Sequence, residues 1–163
     1  MVDVVRRVGP DAAGNAVSIL REAAQHFADR GIEVWTGDEL READFVAAAN
    51  AGELYLGYAG AHPVATMLLQ PADLLYWPEA EPRSALYIHK VAVRRAAAGR
   101  GWLKRLIEHA ASEGVARCVP FLRLDTLEGP TLRSLYERLG FAALSEPPIV
   151  ARGRRLIRME RRL

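Results

Sequence analysis

Hydrophobic and polar residues alternate along several short segments of this chain, and in other segments hydrophobic residues recur every three or four positions. Strict alternation is typical of β-strands with one buried face, whereas the longer period is typical of amphipathic helices. The alternating segments predict strands over 2–8, 53–59, 63–70, 86–93, 117–125, 141–144 and 155–163. The helical spacing predicts helices over 12–30, 39–49, 101–113 and 130–140. The resulting order, β-α-α-β-β-β-α-β-α-β-β, predicts a mixed α/β fold in which helices cover a sheet.

Turn and capping signals set several of these boundaries. Thr36-Gly37-Asp38-Glu39 has the form of a capping box, which predicts the start of the second helix. Gly60-Ala61-His62 separates two strands and predicts an antiparallel hairpin. Pro130 suits the first turn of the last helix, and Gly140 suits its C-terminal cap. Three prolines interrupt the segment before the fourth strand and predict a long loop there, of a length that often carries function: Pro71, Pro78 and Pro82.

Composition limits the class of protein. The chain has 163 residues, of which 50% are hydrophobic and 26% charged, so we expect a single domain over residues 1–163 with a substantial core. A formal net charge of +2 gives no general case for nucleic-acid binding. The chain lacks an apolar run of membrane-spanning length and a signal-peptide pattern, so we expect a cytoplasmic protein with no membrane partner. The single cysteine, Cys118, excludes an internal disulfide, and we expect it to be a small core residue.

The strongest functional signal lies in residues 86–103, LYIHKVAVRRAAAGRGWL. A strand leads into a glycine-bearing turn, and the turn opens a helix. The N-terminus of a helix attracts phosphate because its first N–H groups are unpaired and its dipole is positive there. Positive side chains surround this helix start: Arg94, Arg95, Arg100, Lys104 and Arg105. The pattern therefore predicts a phosphorylated cofactor.

With this order of elements and this turn, the chain resembles the GNAT superfamily of N-acetyltransferases. That family binds acetyl-coenzyme A on a Gln/Arg-x-x-Gly-x-Gly/Ala turn after its fourth strand, and the turn is similar to residues 98–103, AGRGWL. A second segment, LRLDTLEGPTLRSLYERLGF at 122–141, is similar to the family's fifth strand and the helix after it. The chain departs from the pattern at Ala98, Leu103 and Gly129.

The resemblance implies a twisted, mostly antiparallel sheet of six to seven strands flanked by about four helices, and acetyl-CoA as the cofactor. It assigns the pantetheine arm to the main chain of residues 91–93 and the pyrophosphate to the turn. The implied cofactor-binding residues are Val91, Ala92, Val93, Ala98, Gly99, Arg100, Gly101, Trp102 and Leu103.

Acetyl transfer to an amine requires a base for the attacking nitrogen and a proton for the departing thiolate. Tyr136 matches the family's tyrosine that faces the cofactor sulfur, and a protonated phenol can act as the general acid. The alternative is that Tyr136 only packs as one residue of the apolar face of its helix. Many relatives carry a glutamate on the fourth strand as the base, but this strand has none. His89 is a candidate because imidazole suits a base near neutrality, although it could simply bond a neighbouring strand. Glu53 is a second candidate, acting through a water.

The proline-rich loop and the fifth strand carry candidate substrate contacts. Asp73 could attract a cationic amine beside an aromatic wall that includes Trp77, and an ordinary solvated loop is the alternative. Asp125 could bind substrate or cap a turn. We expect no metal site.

The leading hypothesis is an acetyl-CoA-dependent N-acetyltransferase that acts by direct attack on a primary amine of a small molecule or a protein. A binding module that holds acyl-CoA without transferring the acyl group is the alternative. Action on a nucleic acid is the weaker third hypothesis, since the basic segment 152–162 lacks aromatic residues. The C-terminal strand is expected at an edge of the sheet, where it could pair with a second copy in a homodimer.

Overall fold

The computed structural model describes residues 2–163, which form four α-helices and eight β-strands besides three short 3₁₀ turns. The helices are α1 (Ala13–Ala28), α2 (Glu42–Asn50), α3 (Trp102–Ala116) and α4 (Pro130–Glu137). The strands are β1 (Val4–Arg7), β2 (Leu54–Ala59), β3 (His62–Gln70), β4 (Ala85–Val93), β5 (Phe121–Leu127), β6 (Ala142–Ala143), β7 (Ile149–Ala151) and β8 (Arg154–Arg162).

The sheet has the strand order β1-β2-β3-β4-β5-β8-β6, and β7 also pairs with β8. Strands β4 and β5 run parallel, whereas β1–β2, β2–β3, β5–β8, β6–β8 and β7–β8 are antiparallel. The expected mixed and mostly antiparallel class is confirmed. The sheet has one strand more than expected. The additional strand, β7, was not predicted because it is only three residues long, too short to show alternation in the sequence.

The first compact unit comprises the chain up to Leu69 together with Lys90–His109. Its core forms between α1, α2 and β2. Side chains from these elements are at most 1% exposed: Ile19, Leu20, Phe45, Leu54 and Leu56. Four alanines of α1 and the turn before it contribute small side chains to the same core, which lets the helix approach its neighbours closely: Ala12, Ala13, Ala16 and Ala23.

The second compact unit comprises Gln70–His89 and Ala110–Leu163. Its centre is the antiparallel ladder of β5 and β8, in which seven residue pairs align from Phe121↔Arg162 to Leu127↔Leu156. Trp77, Ala85 and Tyr87 form a separate buried cluster in this unit. Strand β4 begins here, and its parallel ladder with β5 joins residues 85–87 to 121–123.

The capping box at Thr36 exists, but it does not start an α-helix. The Glu39 carboxylate accepts the Thr36 N–H at 2.8 Å, and the residues between them form a 3₁₀ turn over Gly37–Leu40. Arg41 is extended, with φ −75° and ψ 129°, so α2 begins only at Glu42 instead of at residue 39. The box identifies where a helical turn starts, but it carries no information on how far that turn continues.

Strand β5 begins four residues later than expected, at Phe121. Helix α3 extends to Ala116, and Cys118 then adopts a left-handed backbone with φ 54° in the turn that follows. Cys118 is exposed, so the expectation that it is a core residue was wrong. The turn leaves the Cys118 side chain in solvent, whereas the next residue, Val119, is buried.

Strand β8 lies inside the sheet, with β5 on one side and β6 and β7 on the other. The expectation that the C-terminal strand lies at an edge of the sheet was therefore wrong. The structural reason for expecting a homodimer through that edge is removed as well. Several of the β8 charges have partners of opposite charge: exposed Arg155 contacts Glu128, and the more buried Arg158 contacts both Glu79 and Glu146. Among the described helices, none is long and apolar enough to cross a membrane.

Candidate active site

The glycine-bearing turn of the first unit connects β4 to α3. Gly99 and Gly101 have φ of 75° and 81°, in the left-handed region that side-chain-bearing residues rarely adopt. A Cβ placed on either glycine would meet nothing within 4 Å, so the space in front of the turn is open. The glycines are thus required by the backbone conformation, and the open space leaves room for a ligand.

Helix α3 starts at the end of this turn. The Arg105 N–H donates to the Gly101 carbonyl at 3.1 Å, so the N–H groups of residues 102–104 lie in the first turn, where helices leave donors without intrahelical partners. Ala98, Gly99 and Arg100 are exposed beside it, and Leu103 is half-buried. The turn and the helix start therefore together form a place where backbone donors can meet an anion.

Trp102, the first residue of α3, is buried and packs on Gly57 of β2. An ideal Cβ at Gly57 would lie 2.9 Å from two carbons of the Trp102 ring and 3.1 Å from the Ala65 Cβ. The Arg105 guanidinium covers the ring at 5.2 Å from its centroid. The indole therefore anchors the start of α3 to β2, and its side chain serves packing while its backbone belongs to the turn.

A second anchor holds the residues just before the turn. The Glu22 carboxylate of α1 accepts the Arg95 N–H at 2.7 Å and contacts the Arg94 guanidinium at 2.8 Å. Arg94 also donates to the Pro63 carbonyl and to the Ser18 hydroxyl. The Arg95 N–H and the Arg94 side chain together lower the pKa of Glu22 against the opposing effect of burial. The carboxylate that ties α1 to this segment is therefore held in its charged form.

We predict that Gly57→Ala weakens cofactor binding without touching the turn itself. The added methyl group must displace Trp102, and overpacking of this kind typically costs about 1–3 kcal/mol of stability. Calorimetric titration with coenzyme A should give a Kd raised about threefold to tenfold, an order-of-magnitude expectation for a displaced anchor. Gly37→Ala is the matched control, because a Cβ there meets nothing within 4 Å. Equal affinities for the two variants would contradict the anchoring role of Trp102.

In the second unit, Asp73, His89 and Asp125 form a cluster with the imidazole between two carboxylates. The His89 Nε2 atom is 3.3 Å from Asp73 Oδ2, and its Nδ1 atom is 3.6 Å from Asp125 Oδ1. The three side chains are only 5%, 17% and 13% exposed, in that order. His89 comes from β4, Asp125 from β5 and Asp73 from the loop after β3. Charges interact more strongly in such a shielded place than at the surface.

The Asp73 carboxylate is fixed by its own loop. Its Oδ1 atom accepts the N–H groups of Leu75 and Tyr76 at 3.1 and 3.0 Å, and its carbonyl accepts the Trp77 N–H. Burial would raise the pKa of Asp73, but the His89 side chain and these two N–H groups outweigh that effect and lower the pKa. Asp73 is therefore a carboxylate at neutral pH, with its buried Oδ2 atom 3.3 Å from His89 Nε2.

Trp77 holds the same loop in place. Its ring is 4% exposed and lies between the guanidinium groups of Arg123 and Arg158, at 4.8 and 4.7 Å from its centroid. It also contacts the Tyr87 ring, with 5.9 Å between centroids. The aromatic wall expected beside a substrate amine does not include Trp77, because the indole is buried and enclosed by charged partners. Its place in the structure is to fix the loop that carries Asp73.

Tyr136 lies on α4 in edge-to-face contact with Phe141, with 5.9 Å between ring centroids. The residue as a whole is half-buried. Burial of the hydroxyl raises the pKa of Tyr136, and the negative charge of Asp125 raises it further. The phenol therefore stays protonated well beyond neutral pH, as a proton donor must.

The arrangement of Asp73, His89 and Asp125 suits proton transfer better than metal binding. One ligand atom from each residue lies within 4.8 Å of the others, which would bring them within reach of one ion. However, the two carboxylates face different nitrogens of the ring, whereas a metal ion binds a histidine through one nitrogen. Glu53, the other candidate base, stands at the start of β2 in the first unit, half-buried, with its carbonyl accepting the Leu69 N–H.

The sequence profile of the acetyltransferase (GNAT) domain matches residues 22–163. This chain belongs to the GNAT family. YesJ of Bacillus subtilis, named as an uncharacterized N-acetyltransferase, is 25% identical over 138 residues, which cover 79% of this chain and 76% of YesJ.

Solved structures of GNAT proteins share the fold. A GNAT-family acetyltransferase from Listeria monocytogenes superposes with a TM-score of 0.75 at 23% identity, covering 99% of this chain and 95% of its own. The yncA protein of Salmonella typhimurium, solved with its cofactor acetyl-CoA, superposes with a TM-score of 0.74 at 14% identity, covering 100% of this chain and 95% of its own. The GNAT fold predicted from the turn and from residues 122–141 is thereby confirmed.

Three features of this GNAT protein were not predicted from the sequence. Asp73 was expected to contact substrate directly, whereas the structure places it against His89. Gly57 and Glu22 were not singled out, although both anchor the turn. Each contact joins residues far apart in the chain, and a single sequence carries no signal for such pairs.

Proposed function

We propose that this protein is an acetyl-CoA-dependent N-acetyltransferase that transfers the acetyl group directly to a primary amine of a small molecule or a protein, in a ternary complex. The observation that carries the proposal is the buried array in which His89 can accept a proton and Tyr136 is held protonated, with Asp125 acting on both. Membership of the GNAT family, which establishes the acetyltransferase class, supports it.

The proposed cofactor site combines the turn with the end of β4. The backbone of residues 98–103 would hold the pyrophosphate, and the main chain of Val91, Ala92 and Val93 would bind the pantetheine arm. Positive φ at both turn glycines, the open space in front of them and the α3 start support this assignment. The acetyl-CoA in the structurally similar yncA protein supports it independently. Acetyl-CoA supplies the activated thioester.

The proposed chemistry moves three protons. His89 removes one proton from the ammonium of the acceptor, and the neutral nitrogen attacks the thioester carbonyl. As the carbon–sulfur bond breaks and the amide forms, the nitrogen loses a second proton to solvent. Tyr136 donates its proton to the departing thiolate and is reprotonated from solvent, while His89 releases its proton to solvent. An ammonium acceptor thus yields the amide, the free thiol of coenzyme A and one proton.

The cluster also selects the charge of the acceptor. Asp73 and Asp125 place two carboxylates around one imidazole, and this negative field favours an amine that arrives as a cation. Glu53 remains the alternative base, through a water.

The function is tested by incubating the protein with acetyl-CoA and a panel of primary amines while free thiol is measured. Thiol release that depends on the amine, with an acetylated amine as product, is expected. If acetyl-CoA binds but no amine raises thiol release above the rate without amine, the acyl-CoA-binding module becomes the better description. Steep salt-dependent retention on RNA with no thiol release would instead favour the nucleic-acid hypothesis.

A further inference from the structure

Lys90 has a left-handed backbone inside a strand. Its φ is 51°, within β4 (Ala85–Val93). Among the described residues that carry a side chain, the others with positive φ lie in turns: Arg83, Cys118 and Arg152. A side chain in this conformation crowds the neighbouring carbonyl, so the conformation persists only where the surrounding structure holds it. The backbone of Lys90 therefore requires contacts that fix it.

The Lys90 side chain is held by the segment that precedes α2. Its Nζ atom lies 3.6 Å from Glu39 Oε1 and 5.6 Å from the centroid of the Trp35 ring. The side chains of Lys90 and Glu39 are only 19% and 9% exposed. Water screens such a shielded pair weakly, and the face of the indole adds attraction for the ammonium. The side chain of the strained residue thus ends in two attractive contacts.

The Glu39 carboxylate is itself fixed. Its Oε2 atom accepts the Thr36 N–H at 2.8 Å and the Thr36 hydroxyl at 3.0 Å, while Oε1 faces Lys90. The 3₁₀ turn that begins at this cap ends at Leu40, which is 3% exposed in the core of the first unit. Trp35 packs against the same core. Lys90 is therefore held by a packed part of the unit.

The residues that follow Lys90 are held at their other end as well. Glu22 of α1 accepts the Arg95 N–H at 2.7 Å and contacts the Arg94 guanidinium at 2.8 Å. Residues 91–93 thus run between two points that carboxylates fix, and all of these groups belong to the first compact unit. An interruption inside a strand re-aims the groups that follow it. The φ of one residue therefore sets the direction of the main chain over 91–93.

We propose that Lys90 is a positioning residue, whose tied side chain holds β4 in the left-handed conformation that presents the main chain of residues 91–93 to the pantetheine arm of the cofactor. This inference rests on the proposed function for the identity of the ligand. The held conformation is a property of the free protein. The ammonium of Lys90 acts through the backbone and makes no contact with the cofactor.

The holding role is measured on the free protein by backbone NMR. In a left-handed residue the amide and α protons are close together, which gives a strong intraresidue NOE, and wild-type Lys90 should show it. Lys90→Met removes the charge that both contacts need but keeps a flexible apolar side chain. Residue 90 should then become extended, and its NOE should weaken. A left-handed residue 90 in this variant would overturn the proposal.

Binding separates the two parts of the cofactor. In calorimetric titrations Lys90→Met should raise the Kd of coenzyme A about tenfold, the order expected when a strained backbone is released. Its affinity for adenosine 3′,5′-bisphosphate, which lacks the pantetheine arm, should stay within about twofold. Equal losses for the two ligands would contradict the proposal. If wild-type protein binds no coenzyme A, the proposed function fails. If it binds coenzyme A no better than Lys90→Met does, the positioning role alone is refuted.

A double-mutant cycle tests whether Glu39 acts through Lys90. Glu39→Gln can still accept the Thr36 N–H, so the cap should survive, and the Kd of coenzyme A should rise less than in Lys90→Met because the contact with Trp35 remains. Combined with Lys90→Met, the same change should add nothing. Losses that multiply would show that the two residues act independently, against the proposal.

Glycine at position 90 distinguishes positioning from direct contact. Lys90→Gly loses the side chain, but glycine adopts positive φ without the penalty of a Cβ, so its Kd for coenzyme A should stay within about threefold of wild type. Arg152→Gly is the matched control, because Arg152 has the same φ of 51° in the turn before β8, and both affinities should be unchanged. If Lys90→Gly binds coenzyme A as weakly as Lys90→Met, the ammonium itself is required and the positioning role is wrong.

Discussion

Replacing Tyr136 with phenylalanine is expected to lower kcat about 100- to 1,000-fold, the range typical of a lost general acid. In the proposed mechanism the phenol is the proton source for the thiolate, and phenylalanine preserves the ring that packs against Phe141. Affinity for coenzyme A should stay within about twofold. Steady-state thiol release and calorimetric titration measure the two quantities separately.

Tyr58→Phe is the matched control for this experiment. Tyr58 is also half-buried and contacts the Arg6 guanidinium, but it lies on β2 in the first unit. Its variant should retain wild-type kcat. Because burial and the Asp125 charge raise the pKa of Tyr136, wild-type activity should show no alkaline fall from this phenol up to its ordinary pKa of about 10. A Tyr136→Phe enzyme with kcat within twofold of wild type would remove Tyr136 from the chemistry.

The second large effect is expected for His89→Gln. Glutamine can still form hydrogen bonds with Asp73 or Asp125, but it cannot accept a proton, so kcat should fall about 100- to 10,000-fold. The loss should be greatest near neutral pH and smaller at high pH, where more of the acceptor amine is already neutral. Thiol release measured from pH 6 to pH 10 provides this comparison.

Two variants complete the test of His89. His62→Gln replaces an exposed histidine of β3 and should leave kcat unchanged. Glu53→Gln removes the alternative base and should cost less than tenfold. A large loss in Glu53→Gln with little change in His89→Gln would transfer the role of base to Glu53.

Local sequence signals predicted most elements of this fold. Helix α4 follows from Pro130 at its first turn and Gly140 after its end, and the hairpin of β2 and β3 follows from two alternating segments around Gly60. These signals depend on neighbours within a few positions, which a single sequence contains in full. Boundaries that depend on tertiary context were misplaced: α2 begins after an extended Arg41, and β5 begins after a left-handed Cys118.

The position of a strand within the sheet could not be predicted from the local sequence pattern. The residues of β8 alternate as an edge strand would, and their charge suggested solvent, but β6 and β7 pair along its far side. Strand β7 has three residues and left no recognisable pattern in the sequence. Strand β6 falls within the strand expected over 141–144, but that local pattern did not indicate that it pairs with β8. Which strands pair depends on the assembled sheet, and the pattern of a single strand does not determine it.

In the candidate site too, features formed by consecutive residues could be predicted, whereas contacts between distant residues could not. The turn at 98–103 could be found because its glycines, its charges and the strand before it are consecutive. In β4 the regular alternation is interrupted at Lys90, where φ is 51°, and no sequence pattern indicated that change. The partnership of Asp73 with His89 joins a loop to a strand, and it required the structure.

The proposed transfer of an acetyl group from acetyl-CoA to nitrogen is tested by a single-turnover experiment with ¹³C-labelled acetyl-CoA and a primary alkylamine. We expect the label in an amide of the added amine, with one free coenzyme A thiol for each amide formed. Label that remains on the cofactor, or that appears only as free acetate while the cofactor is bound, would contradict it.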